Sequence, residues 1–351
     1  MEITVVISIS YSWAPDDDTG SISDDEYTQL SNLFLDASNL NITVLASTGD
    51  IGAMYLDATL AQAAYPATDP SVLACGGTSV GNITATGFDE FVWNDTWLTP
   101  SGKAASGATG GGISARFRIP PYQTGLAMPK AIINAKAGRG IPDVAGNASP
   151  NSGYTLVVNG KPVGEGGTSA VAPLYAGLIA IMNSLLRQAG ALYPVGSAHS
   201  VLYRSAATSC RDVTAAAGPT SNTFGAVSGY AAGASWDACT GLGSIDGEQL
   251  LNAFRPLTVD IHRRTYDGCD PGPVTGGTAI FDAKVTGGFA PLAYQWQATN
   301  AKIIAPVGPK PWIVNARTPQ VTVSIPAAGT VFTLSVTVTD PYGISVTHMQ
   351  S

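Results

Sequence analysis

The chain has 351 residues, 45% of them hydrophobic and only 12% charged, with 40 glycines and a formal net charge of −8. A length of this order suggests two or three domains, the composition excludes a disordered chain, and the acidic balance argues against a nucleic-acid partner. So few charges limit self-repulsion as carboxylates titrate, which suits an acidic medium.

In chain order, Ile3 to Ser10 is short, apolar and β-branched, as expected of a buried parallel strand. No basic region precedes it, so the N-terminus does not read as a signal peptide. A chain that opens in a strand reads as the later part of something longer. No uninterrupted apolar segment is expected to reach membrane-spanning length. Asp16-Asp17-Asp18-Thr19-Gly20 reads as a polar, solvated turn. Ser23-Asp24-Asp25-Glu26 is a capping-box pattern opening a helix through Leu30, Leu33 and Phe34 to about Asn39. Ile42 to Ser47 is the next buried strand and ends in Thr48-Gly49-Asp50. Strand, helix, strand at this spacing implies a right-handed crossover and an α/β sheet, whose chemistry sits at the carboxyl ends of strands. Asp50 lies at such an end; the alternative is a turn aspartate bonding its own backbone.

A strand over Val72-Leu73-Ala74-Cys75 follows, with Cys75 as a small core residue. Residues 83–110 read as irregular, with Trp93 and Trp97 packing a surface hairpin. Gly110-Gly111-Gly112-Ile113-Ser114 reads as a flexible turn and not a phosphate loop, since no lysine follows at the required position. Arg139 to Ala148 is a strand-edge segment, and Asn159-Gly160 signals a hairpin. Gly166-Gly167-Thr168-Ser169 then leads through Pro173 into the apolar run Leu174 to Met182. This reads as a tight turn entering a buried helix at Ser169, with Pro173 tolerated in its first turn. The Ser169 hydroxyl would lie at the positive end of that helix, where developing negative charge is stabilised. The same residues also read as a plain helix cap.

Cys210-Arg211-Asp212-Val213 and Gly233-Ala234-Ser235-Trp236-Asp237-Ala238-Cys239 look like halves of one calcium site. Asp212 and Asp237 would supply carboxylates, and Val213, Gly233 and Ser235 carbonyl oxygens. Each aspartate has a cysteine two positions away, which allows a Cys210–Cys239 disulfide, although spacing alone does not fix the pairing. The four cysteines match no zinc pattern. From about Phe254 threonine and valine rise and alternation begins, as in Val321, Val323 and Ile325 and in Phe332, Leu334, Val336 and Val338. Such strands with Pro/Gly turns indicate a small β-sandwich. Pro291 to Trp296 and Val338 to Gly343 resemble a polycystic-kidney-disease (PKD) or immunoglobulin-like module. Cys269 lies near its start with no obvious partner.

Residues 3–254 resemble the later part of a sedolisin, the serine-carboxyl peptidase family. Five segments carry this in the family's order: Val6 to Ser10; Ala46 to Asp50; Tyr65-Pro66-Ala67 with Cys75-Gly76-Gly77-Thr78; Gly140 to Ala145; and Gly166 to Ala170. The resemblance implies a subtilisin-like parallel sheet flanked by helices over 1–255, incomplete at its N-terminus, followed by the sandwich over 256–351. It implies Ser169 as the nucleophile and Asp50 as the oxyanion-hole aspartate. It also implies Ca2+ at Asp212, Val213, Gly233, Ser235 and Asp237, although glycine often stands in the family where Ser235 does. An ionised carboxylate cannot donate a hydrogen bond, so an aspartate in that hole works only when protonated, at acidic pH. Sedolisins take their base from a Glu-x-x-x-Asp pair upstream of the first matched strand, where only Met1 and Glu2 stand here.

The implied activity is acid-pH peptide-bond hydrolysis, with this chain poorly active alone. The implied setting is a secreted, extracellular monomer acting on a peptide or protein substrate, with neither nucleic acid nor membrane as partner. The alternative is a non-catalytic pseudopeptidase acting as a secreted binding protein. A Ser-His-Asp triad is disfavoured, because His199, His262 and His348 stand in no catalytic motif.

Overall fold

The computed structural model describes residues 6–16, 22–55, 59–95, 107–188, 194–214, 218–255, 257–263, 278–287, 292–304, 320–324, 331–340 and 345–350. The expectations for Ile3 to Val5, Asp17 to Gly20, Trp97, Cys269, Pro291, Ile325 and Pro341 to Gly343 lie outside them. The chain divides into two compact units, Met1–Leu251 and Asn252–Ser351.

The first unit is built on a mainly parallel sheet. Strand β1 (Val6–Ile9) pairs in parallel with β2 (Thr43–Ser47), and β2 with β3 (Val72–Thr84). Strand β4 (Gly87–Val92) returns antiparallel to β3, and β5 (Val144–Asn147) pairs in parallel with β3. Helix α1 (Asp24–Asn39) connects β1 to β2 and carries the expected capping box, Ser23 and Glu26 bonding reciprocally. Its Tyr27 and Phe34 pack with Val44, Ala46, Val72 and Ala74. Those four alternate along β2 and β3, so the pleat turns Leu45 and Leu73 to the other side. Leu33, one of the apolar residues of that helix, is exposed.

The hairpin β6 (Tyr154–Val158) and β7 (Lys161–Glu165) turns at Asn159 and Gly160, both with positive φ as an Asn-Gly turn requires. It delivers the chain to α2 (Thr168–Gln188), which packs against β1, β2 and β3. Helices α3 (His199–Ser209) and α4 (Gly247–Phe254) follow.

Several expectations are corrected. Helix α2 is, by length and composition, long and apolar enough to cross a membrane, contrary to the sequence reading. Its hydropathy has a core explanation, since Val171, Ala172, Tyr175, Ile179, Met182 and Leu186 are buried. Strand β1 is only partly buried, because among the described residues it pairs on one side only. Trp93 is buried and not at a surface, its indole N–H donating to Asp95 at 2.9 Å. Gly110 to Ser114 is fully buried, so it is no flexible turn: a Cβ on Gly110 would lie 1.9 Å from the Thr48 carbonyl oxygen. Asp16 is also buried and not solvated; it accepts from the Thr68 hydroxyl at 3.0 Å and the Ala115 N–H at 3.1 Å.

The second unit carries two antiparallel sheets. One contains β8 (Thr258–Arg263), β9 (Thr278–Thr286), β12 (Gln320–Ser324) and β11 (Lys302–Ile304) in that spatial order. The other contains β10 (Ala293–Thr299), β13 (Thr333–Thr339) and β14 (Ser345–Gln350). Val259, Ile261, Phe281, Val321 and Val323 of the first sheet share a hydrophobic cluster with Trp296, Leu334, Val336 and Val338 of the second. These are largely the alternating positions read from the sequence.

Candidate active site

The turn before α2 brings the ends of three segments together. Gly167 has φ +90°, and a Cβ there would lie 2.7 Å from Asp50 Oδ2, so only glycine lets the chain pass the carboxylate. Asp50 follows β2. Its Oδ1 accepts the Thr168 backbone N–H at 2.7 Å and the Thr168 hydroxyl at 2.7 Å. That hydroxyl in turn accepts the Gly49 N–H at 3.1 Å. Oδ2 takes no hydrogen bond among the described residues. Asp50 therefore holds the residue immediately before Ser169 and keeps one oxygen in reserve. The bland reading, a turn aspartate bonding its own backbone, does not describe it.

Helix α2 begins at Thr168, one residue earlier than expected, and Pro173 lies inside it rather than in the first turn. The Ser169 carbonyl oxygen accepts from the Ser10 hydroxyl at 2.8 Å, while Ser169 Oγ lies 3.5 Å from the Ser10 carbonyl oxygen. Ser169 borders a cavity of about 500 Å³ lined by Tyr154, Leu156, Glu165, Gly166, Ala170, Pro173 and Leu174. Glu165 is the one carboxylate in that lining. It makes no hydrogen bond to Ser169 among the described residues, and no Glu-x-x-x-Asp occurs anywhere in the sequence. His199 is committed elsewhere: its ring stacks on Tyr122 at 4.4 Å, and Nε2 lies 3.3 Å from Asp143 Oδ2.

Asp143 is fully buried, as is its partner Arg139. It takes both ends of the Arg139 guanidinium at 2.9 and 3.2 Å, the Tyr203 hydroxyl at 2.7 Å and the Ala74 N–H at 2.7 Å. Burial alone would raise its carboxyl, but Arg139 and His199 hold it well below the usual carboxylate range. Asp16 is the opposite case. Burial pushes its carboxyl up to about 6, against the hydroxyls of Ser114 and Thr68 that lower it. Cys75 is buried, and burial raises its thiol far above the ordinary value, which rules out a reactive thiolate.

The two calcium-candidate loops meet. Asp212 Oδ2 accepts the Ser235 N–H at 2.7 Å, and Asp237 Oδ2 the Gly233 N–H at 3.1 Å. Ser235 has φ +67°, in the left-handed region that favours glycine. Among the described residues no group of three or more His, Cys, Asp or Glu side chains gathers at a metal-binding distance. Two carboxylates and main-chain oxygens would be an all-oxygen set of the kind a hard cation takes. Both Asp237 oxygens already accept hydrogen bonds, however, Oδ1 from the Cys239 and Thr240 N–H groups at 2.8 and 2.9 Å and Oδ2 from the Gly233 N–H and the Thr240 hydroxyl, so a cation there would have to displace some of them. The Cys210–Cys239 disulfide is not formed: both thiols are free, and Cys239 Sγ points at the Tyr230 carbonyl oxygen at 2.9 Å.

Sequence reading missed Ser10 and Thr168. Pro173, four residues after Ser169, signals that the Ser169 carbonyl bonds outside its own helix, but no feature of the sequence points to Ser10 as the partner.

No protein-family model matches the chain. Over 262 residues, 72% of this chain, it is 41% identical to kumamolisin of Bacillus sp. (strain MN-32). It is 35% identical over 245 residues to tripeptidyl-peptidase sed5 of Aspergillus fumigatus and 29% over 261 residues to sedolisin of Pseudomonas sp. (strain 101). It spans only 40–42% of the length of these curated relatives. Among solved structures it matches Pseudomonas sedolisin, a serine-carboxyl proteinase, with a TM-score of 0.55 and 28% identity, over 70% of this chain and 64% of that one. The α/β fold and homology to the sedolisin–kumamolisin family follow.

Proposed function

We propose that this homologue of kumamolisin and sedolisin is the nucleophile-bearing part of an acid-acting serine-carboxyl peptidase. Ser169 attacks the peptide carbonyl, and protonated Asp50 donates to the oxyanion. One observation supports the reading: Asp50 accepts from Thr168, the residue before Ser169, through Oδ1 alone, and its Oδ2 takes no hydrogen bond among the described residues. An ionised carboxylate there would repel the oxyanion; a protonated one stabilises it, a contribution of about 3 kcal/mol for one such donor. The base comes from outside these 351 residues, which contain no Glu-x-x-x-Asp. The chain alone therefore turns over peptides very slowly, and acid-pH turnover by the purified chain, abolished by Ser169→Ala, would overturn this.

The substrate is a peptide or protein, and the setting is extracellular. Asp212, Asp237 and the carbonyls of Val213, Gly233 and Ser235 hold Ca2+, which when bound stabilises the loops. The second unit is a PKD- or immunoglobulin-like module serving as a spacer.

Binding of a peptide aldehyde with apolar side chains, compared with its matched alcohol, tests the site. The Ser169 oxygen bonds the aldehyde carbon and the aldehyde oxygen takes up the hydroxyl proton, an equilibrium that needs no base. We expect the aldehyde to bind more tightly at pH 4, with the preference lost in Ser169→Ala. The lack of a carboxylate on Ser169 among the described residues favours a second reading, a non-catalytic binding protein; equal affinities in the unaltered chain would select it.

A further inference from the structure

Pro173 is the fifth residue after Thr168, where α2 begins, and so lies in the helix interior. It has no N–H, so the carbonyl of Ser169, four residues earlier, loses its helical donor, and the proline ring also crowds that carbonyl. That carbonyl lies in a contact open to solvent and must bond to a donor other than the helix's own. Ser10, at the carboxyl end of β1, supplies it at 2.8 Å. Its own carbonyl oxygen lies 3.5 Å from Ser169 Oγ, too long for a strong hydrogen bond. Ser10 thus contacts Ser169 twice: firmly at the main chain, loosely at the hydroxyl.

We propose that Ser10 is a positioning residue for the Ser169 nucleophile. Its hydroxyl replaces the amide that Pro173 removes and fixes the Ser169 backbone, while its carbonyl points the Ser169 hydroxyl into the cleft without binding its proton tightly. Asp50 holds the preceding residue from the other side, so Ser169 is set between the ends of β1 and β2. This rests on the nucleophile reading of Ser169 and deepens it. Thr168 explains how Asp50 is placed; Ser10 explains why a proline stands inside the nucleophile's own helix.

The test is a double-mutant cycle on the full chain with Ser10→Ala, Pro173→Ala and the pair, read two ways. The first readout is thermal stability. Pro173→Ala restores the helical N–H, so Ser10→Ala should lower the midpoint clearly in the unaltered chain and much less beside Pro173→Ala. Equal losses in both backgrounds overturn the replacement. The second readout is the affinity ratio of a peptide aldehyde to its matched alcohol at pH 4, which a purely structural change leaves alone. Ser10→Ala should cut that ratio about tenfold, the effect of one lost hydrogen bond. Ser10→Thr, which keeps the hydroxyl, should restore it to within about twofold, by the same reasoning. Coupled stabilities with an unchanged ratio would make Ser10 structural only and overturn the positioning role. Coupled stabilities with no aldehyde preference in the unaltered chain would overturn the peptidase reading, and the positioning role with it.

Discussion

Asp143 and Asp50 are two aspartates of one α/β unit put to opposite uses. Both Asp143 oxygens are saturated, by Arg139, Tyr203, His199 and the Ala74 N–H, and the carboxylate itself is closed to solvent. Asp50 is half-buried, and one of its oxygens is used while the other is not. A carboxylate with every lone pair engaged can only hold structure. One anchored through a single oxygen is oriented and still chemically available. The number of donors, more than the residue type, separates the two roles.

The sharpest way to break this contrast is to remove each aspartate. Asp143→Ala leaves Arg139 charged and buried with no counter-ion, and should cost about 3–5 kcal/mol of stability in denaturant unfolding. Asp50→Ala should cost less, about 1–3 kcal/mol for the buried Thr168 N–H and hydroxyl left without their acceptor. It should also lower the preference of aldehyde over alcohol at pH 4 by about 1 kcal/mol, one lost hydrogen bond. Comparable losses of stability from both would erase the distinction.

Acidity sharpens it further. Asp16, raised by burial to about 6, holds its proton more tightly when folded than when unfolded. Its contribution is full below its ordinary value near 3.8 and is lost as pH rises through 6, a shift corresponding to about 3 kcal/mol. Asp143 has the opposite sign: lowered by Arg139 and His199 once burial is overcome, its contribution persists down through the acid range and fades only at still lower pH. The fold should therefore gain stability between pH 7 and 4, and Asp16→Asn should flatten that rise. A calorimetric pH series checks it.

Smaller effects follow. Chelation should lower the melting temperature through Asp212 and Asp237, by the equivalent of about 2.7 kcal/mol if Ca2+ is present at a hundred times its dissociation constant. Glu165→Gln should change the aldehyde preference by less than about twofold, since Glu165 borders the cavity without bonding Ser169.

Much of this was legible in the residues. The capping box at Ser23, the β2 strand ending at Asp50, the Asn159-Gly160 hairpin and the alternation from Val321 onward are local signals, and local geometry obeys them. What failed was long-range. Asp16 looked solvated because an acidic run normally is, yet Thr68 and Ala115 enclose it. Gly110 to Ser114 looked flexible because glycines usually mark freedom, whereas here they mark backbone against backbone. Cys210 and Cys239 suited a disulfide by spacing, but Cys239 turns to Tyr230. Pro173 was placed in the first turn, although even from Ser169 it is the fifth residue, past the amides a helix start leaves unbonded. Its consequence, the bond from Ser10, joins residues 159 positions apart and no periodicity reports it.

The most direct test is the pH profile of the aldehyde-over-alcohol preference in the unaltered chain and in Asp50→Asn. Asparagine can accept from Thr168 through its oxygen and donate through its amide at any pH. The unaltered chain should show the preference only under acidic conditions and lose it towards neutrality, while Asp50→Asn should hold it at every pH. Identical profiles in the two proteins would contradict the claim that a protonated Asp50 faces the reacting atoms at Ser169.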